Sequence, residues 1–192
     1  MYTVDSFNSY TLSYLYGKVR SIYEYYISNY LWENKDINNV YSDIYISDIG
    51  TAYNVELLDE LGITHIVNAV LAIEPAFPDK YEYLSVDLRD ISNENIENEF
   101  DKVNEFIDLA LSNGGKVLVH CIAGVSRSAS LVASYLINKK NLSFDEALKI
   151  LKNNRPKIEP NNGFKKQLQE IKPYHTKDLR FSQLKMHTFE NI

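Results

Sequence analysis

The run Val117-Leu118-Val119 has no polar side chain on either alternating face. A strand of that kind is stable only where both of its faces are covered, which is the condition at the centre of a parallel sheet packed with helices on each side. The chain around it supplies the covering elements. Asp43-Ile44-Tyr45-Ile46-Ser47 reads as a short strand, Thr64 to Val70 as a β-rich apolar run, and Tyr83 to Val86 as another short strand. Between them lie helical patterns. Asn54 caps a helix over Val55 to Leu61 that stops at Gly62. Residues 96–112 place Phe100, Val103, Phe106, Ile107 and Leu111 on one face and end at Gly114-Gly115. Gly124 and the residues after it open a helix through Tyr135 to Ile137. Ser143-Phe144-Asp145-Glu146 is a capping box for a helix to Leu151, and Asn162-Gly163 starts a last helix to about Ile171. Strands alternating with helices predict an α/β fold, with a central, mostly parallel twisted sheet flanked by helices.

Residues 10–32 form an additional element. Leu12, Leu15, Tyr16, Val19, Ile22, Tyr23, Tyr26, Ile27, Tyr30 and Leu31 recur at helical spacing, which predicts one long amphipathic helix. Glu33-Asn34-Lys35-Asp36 reads as a polar linker. The expected organisation is therefore an N-terminal helix and linker (1–35), a globular α/β domain (36–172) and a polar tail (173–192). The formal net charge of −6 argues against general nucleic-acid binding, which wants a basic face. The single cysteine, Cys121, excludes an internal disulfide and a thiolate metal cluster. It fits a reducing compartment, cytoplasmic or nuclear, and no secretory signal or membrane-spanning run is visible.

The chemistry is concentrated just after the apolar strand. In His120-Cys121-Ile122-Ala123-Gly124-Val125-Ser126-Arg127-Ser128 a strand runs through a loop into a helix, with an arginine six positions after the cysteine. Backbone N–H groups of residues 122–127 at a helix N-terminus converge on an anion, and the helix dipole favours negative charge there. The same field lowers the pKa of Cys121 and makes it a nucleophile. Arg127 offers a planar fork to two phosphate oxygens, and Gly124 allows close backbone approach. Ser128 can donate to the sulfur and ease its departure as a thiolate, and His120 is expected to orient the loop. A lone cysteine closing a core strand is more often a small buried hydrophobe, but the glycine, arginine and serine at this spacing outweigh that reading.

The motif His120-Cys121-x-x-Gly124-x-x-Arg127-Ser128 resembles the active-site signature of the protein tyrosine phosphatase superfamily, and Ala123-Gly124-Val125-Ser126-Arg127-Ser128-Ala129 is similar to its dual-specificity phosphatases. Leu61-Gly62-Ile63-Thr64-His65-Ile66-Val67-Asn68-Ala69 and Arg155-Pro156-x-Ile158-x-Pro160-Asn161-x-Gly163-Phe164 agree with the same family, over about residues 38–172. The resemblance implies hydrolysis of phosphotyrosine and phosphoserine or phosphothreonine in proteins through a phosphocysteine intermediate, without metal or cofactor. Leaving-group protonation then falls to a carboxylate in Val86-Asp87-Leu88-Arg89-Asp90. The family's placement favours Asp90, with Asp87 as the competing candidate. It also implies that Asn68 braces the phosphate loop. Arg155 is read either as a contact to a second phosphate or the backbone, or as a surface residue. His65 reads as a core histidine. No lysine stands between Cys121 and Arg127, which disfavours inositol lipids. A phospho-binding module without turnover is the alternative reading, disfavoured because cysteine, arginine and acid are all present. The wide apolar stripe of residues 10–32 predicts a homodimer formed through that helix.

Overall fold

The computed structural model describes residues 35–171. The helix expected over residues 10–32 and the tail from residue 173 lie outside this range. The elements run β1 (Ile37–Tyr41), β2 (Ile44–Ser47), α1 (Ile49–Ala52), α2 (Val55–Leu61), β3 (His65–Asn68), β4 (Glu82–Ser85), α3 (Glu97–Ser112), β5 (Val117–His120), α4 (Arg127–Lys140), α5 (Phe144–Asn154) and α6 (Asn162–Glu170). The sheet order is β1-β2-β5-β3-β4. Only β1 and β2 pair antiparallel; β2 with β5, β5 with β3, and β3 with β4 are parallel. The expected α/β class and mostly parallel sheet are therefore present.

The apolar strand is the middle of the sheet, and its alternation divides the interior in two. Val117 and Val119 enter the larger core with Ile44, Ile46, Val67, Phe100, Val103, Leu131, Val132 and Tyr135. Leu118 points the other way, into a smaller core with Leu58, Ile63, Ile66 and Tyr81. Because the side-chain period of a strand is two, both faces of β5 are dry, as its composition requires. Among the described residues no helix is long and apolar enough to cross a membrane.

Local signals set the helix ends. Asn54 accepts from the Leu57 amide at 2.9 Å, and Gly62 ends α2 in the left-handed region at φ 73°. Both halves of the Ser143–Glu146 capping box form at the start of α5. One strand has no counterpart in the sequence reading, and one expectation is corrected. In β1, Asn38 and Asn39 interrupt the apolar alternation. It is an edge strand held by pairing with β2 across a turn at Ser42, whose φ is 48°. The helix expected to open at Gly124 begins at Arg127, so Gly124 to Ser126 belong to the loop.

At the start of α6 a Cβ on Gly163 would overlap the backbone carbonyl of Ser92. Glycine here brings the helix start directly onto the segment after β4. Gly163→Ala should therefore cost about 1–3 kcal/mol, the usual range for overpacking. Urea unfolding measures this, and an unchanged midpoint would contradict the close approach.

Candidate active site

The loop between β5 and α4 folds around the sulfur of Cys121. Its carbonyls are tied outward: the Ile49 amide donates to Ile122 O at 3.0 Å, and the Glu159 amide to Val125 O at 3.0 Å. Gly124 has φ 63°, and a Cβ there would lie 2.6 Å from Ser47 O. Only glycine permits that close approach. With the loop wound this way, the Gly124 amide donates to Cys121 Sγ at 3.2 Å and the Ser128 hydroxyl donates to it at 3.3 Å. Cys121 is buried, and burial alone would push its thiol up. The Arg127 charge, the Ser128 hydroxyl and amide, and the Val125 amide outweigh that and hold the thiol below its ordinary value.

Arg127 is the first residue of α4 and is 7% exposed. One nitrogen, Nη1, donates to Leu88 O at 3.2 Å and Ala69 O at 3.4 Å. These bonds aim the guanidinium across the loop. Its Nε is buried without a hydrogen-bond partner. The nearest carboxylate oxygen, Asp90 Oδ2, is 3.5 Å away, close enough for charge attraction and too far for a good hydrogen bond. A buried orphan donor on an arginine is costly unless an anion completes it.

Of the two candidate acids, the structure brings Asp90 to this place. Asp90 Oδ1 accepts from Ser126 Oγ at 2.7 Å and from Asn161 Nδ2 at 2.9 Å. Asp87 is turned to other use, its Oδ1 accepting the Ala72 amide at 2.9 Å. Asn68, expected to brace the phosphate loop, turns its side chain to the segment after β3. It does not hydrogen-bond the phosphate loop with its side chain; its Nδ2 donates to Ile73 O at 2.8 Å and its Oδ1 accepts the Val70 amide at 3.1 Å. It thus shapes the turn after β3, where Ala69 O receives Arg127. His65 has only 15% of its side chain exposed, packs edge-on to Phe106 and lies 3.2 Å from Glu82, away from the loop.

Arg155 is 1% exposed, which overturns the surface reading. Its Nε donates to Gly124 O at 2.8 Å, Nη1 to Asn38 Oδ1 at 2.7 Å, and Nη2 to Asp36 Oδ2 at 2.9 Å. It holds the loop from behind and has no room for a second phosphate. Asn161 carried no role in the sequence reading beyond its place in the family motif. The available signal was its position as N-cap of α6, where its Oδ1 accepts the Phe164 amide at 3.0 Å. Among the described residues no cluster of three or more His, Cys, Asp or Glu side chains is placed to hold a metal.

His120 is buried between the neighbouring strands, and its Nδ1 has no hydrogen-bond partner. Burial, reinforced by the nearby Arg127, pushes it down to about 4, against the polar backbone of Cys121, which favours its charged form. It is therefore neutral in the folded protein. The unfolded chain binds this proton first, near the ordinary value of 6.5, so stability is full above 6.5 and falls as pH drops towards about 4. In His120→Gln the loss of unfolding free energy between those pH values should be shallower. An identical slope would show that His120 is not responsible.

A family model described as the dual specificity phosphatase catalytic domain matches residues 44–173. The chain is 34% identical over 137 residues to dual specificity protein phosphatase 1B of Arabidopsis thaliana, covering 71% of this chain and 82% of the relative. It is 42% identical over 142 residues to MAP kinase phosphatase with leucine-rich repeats protein 3 of Dictyostelium discoideum, covering 72% of this chain but only 16% of that longer protein. Among solved structures, the human tyrosine phosphatase-like serine/threonine/tyrosine-interacting protein superposes with a TM-score of 0.67 at 35% identity, covering 71% of this chain and 95% of the other. With a buried, donor-surrounded cysteine at the heart of the matched region, the chain belongs to the dual specificity phosphatase family of the protein tyrosine phosphatase superfamily.

Proposed function

We propose that this protein hydrolyses phosphate monoesters on tyrosine and on serine or threonine of protein substrates, by double displacement through Cys121. The single observation that carries the reading is the pairing of a lowered, buried thiol with an arginine whose Nε lacks a partner, on one loop. The phosphoryl group sits against the backbone amides of residues 122–127, and Arg127 clamps its oxygens. The Cys121 thiolate attacks phosphorus, an S–P bond forms as the ester P–O bond breaks, and Asp90 gives its proton to the departing oxygen. Water then attacks the phosphocysteine and yields a proton to Asp90. The S–P bond breaks, and the Ser128 hydroxyl receives the returning thiolate. His120 and Asn68 act indirectly, one behind the cysteine and the other on the turn that holds Arg127.

The substrate class follows from what the loop offers. It has no lysine between Cys121 and Arg127, so it presents one fixed cation to one phosphate. That favours phosphoproteins over inositol lipids with several phosphates, and a net charge of −6 disfavours RNA. A single unpaired nucleophilic cysteine fits a reducing intracellular compartment, cytoplasmic or nuclear. The apolar stripe of residues 10–32 is not needed to complete the domain, and its burial between two copies would make the protein a homodimer.

Two measurements test this. On a panel of phosphopeptides, phosphoinositides and triphosphate RNA, the phosphopeptides should turn over. Cys121→Ser should abolish that turnover while phosphate binding survives. Asp90→Asn should lower turnover of phosphotyrosine esters by about 10²–10⁴, the range for a general acid, and less for esters of very acidic phenols. Full activity of Cys121→Ser, or the same pattern in Asp87→Asn and not in Asp90→Asn, would contradict the assignment. Separately, sedimentation of the full chain at micromolar concentration should give a dimer, and a chain beginning at Asp36 a monomer. A monomeric full chain would reject the homodimer.

A further inference from the structure

Asp90 presents two unlike oxygens, and the difference traces to one residue on a distant helix. Ser126 Oγ accepts the backbone amide of Asn161 at 3.1 Å. A hydroxyl has one hydrogen, and here it is directed at Asp90 Oδ1, 2.7 Å away. The side chain of Asn161 reaches the same oxygen with its Nδ2 at 2.9 Å. Its amide orientation is fixed independently, because its own Oδ1 is occupied as the α6 cap by the Phe164 amide. Asn161 therefore supplies both sides of a closed ring: backbone amide to Ser126, Ser126 to Asp90, and side-chain amide to Asp90.

We propose that Asn161 is a positioning residue for the general acid, directing Asp90 so that Oδ2, and not Oδ1, carries the transferred proton. Resting on the acid role given to Asp90 above, the assignment follows from counting hydrogens. Oδ1 already accepts two donors, which occupy its lone pairs, so a proton there would displace one of them. Oδ2 faces Arg127 Nε at 3.5 Å, on the side where the clamped phosphate and its leaving oxygen must sit. In the first step the proton on Oδ2 passes to the leaving oxygen as the P–O bond breaks and the S–P bond forms. In the second step water returns a proton to Oδ2. Ser126 is the intermediate link, since its hydroxyl is oriented by the same asparagine.

Asn161→Ser and Asn161→Asp test this, because both residues cap a helix well and neither can donate the side-chain amide bond. The readout is kcat/KM, which reports the first step, for two esters: phenyl phosphate, whose leaving group needs a proton, and a difluorinated umbelliferyl phosphate, whose leaving group does not. Both variants should lose about tenfold or more on phenyl phosphate, as a displaced proton donor would, and about twofold or less on the activated ester. Thermal unfolding of each variant shows whether the α6 cap is kept. Equal losses on both esters would mean a structural role only, and no loss on either would mean that the ring is dispensable; each result overturns the proposal. Asp90→Asn is the reference. If it lacks the split, the acid assignment itself falls and this proposal with it. If it shows the split and the Asn161 variants do not, only the positioning role is lost.

Discussion

A thiol held below its ordinary pKa while 1% exposed needs donors converging on its sulfur, and the rest of this domain follows from meeting that condition. The Gly124 amide and the Ser128 hydroxyl reach Cys121 only because the loop turns through a left-handed glycine pressed against Ser47. That contact in turn needs β2 beside β5, and the Gly124 carbonyl needs Arg155 behind it. Arg155 is one of the most deeply buried charges in the domain. It is tolerated because Asp36 neutralises it and Gly124, Asn38 and the Asp36 carbonyl take up its donors. The first strand and the helix end at residue 155 are thereby tied to the back of the phosphate loop.

Charge in the loop is limited as carefully as it is supplied. A protonated His120 would add a second cation next to the cysteine, but burial pushes it down to about 4 and leaves it neutral. Arg127 then serves as the fixed charge for both Cys121 and Asp90, with the backbone amides providing the remainder as dipoles. Such a site has one strong direction in its field, from the guanidinium to the sulfur. In the proposed mechanism an incoming phosphate would lie along it and satisfy the Nε that otherwise lacks a partner.

Much of this was legible because it is local. Strand, cysteine, glycine, arginine and serine lie within a dozen residues, and caps such as Asn54 and Ser143 announce themselves by their neighbours. What could not be read were the partners across long separations. Nothing near Arg155 marks it as buried; its carboxylate, Asp36, is 119 residues away. Asn68 occupies the expected position but spends its amide on Val70 and Ile73, in the turn after β3. β1 was hidden for the same reason. Its asparagines weaken the pattern, and only pairing with β2 makes it a strand. Asn161 could be read as a helix cap, whereas its second bond crosses 71 residues to Asp90.

Those long-range bonds also fix the segment that carries Asp90, the proposed acid. Asp90 lies in a segment strapped at several points to α6 and to itself. Gln167 donates to Glu94 O at 2.8 Å and accepts the Glu97 amide at 3.0 Å. Arg89 pairs with Glu94 at 2.6 Å, and Gly163 lets the helix start rest on Ser92. A carboxylate carried on a mobile flap would have to be ordered anew in each cycle, at an entropic cost of about 1–2 kcal/mol per residue fixed. Here folding has already met that cost, because the donors that orient Asp90 sit on the phosphate loop and on the N-cap of α6, a helix whose other face is core, with Phe164 and Leu168 buried. The same packing that stabilises α6 therefore places Asp90 and Arg127 in one geometry before substrate arrives, which is the arrangement that lets fixed dipoles act without reorganising during the reaction.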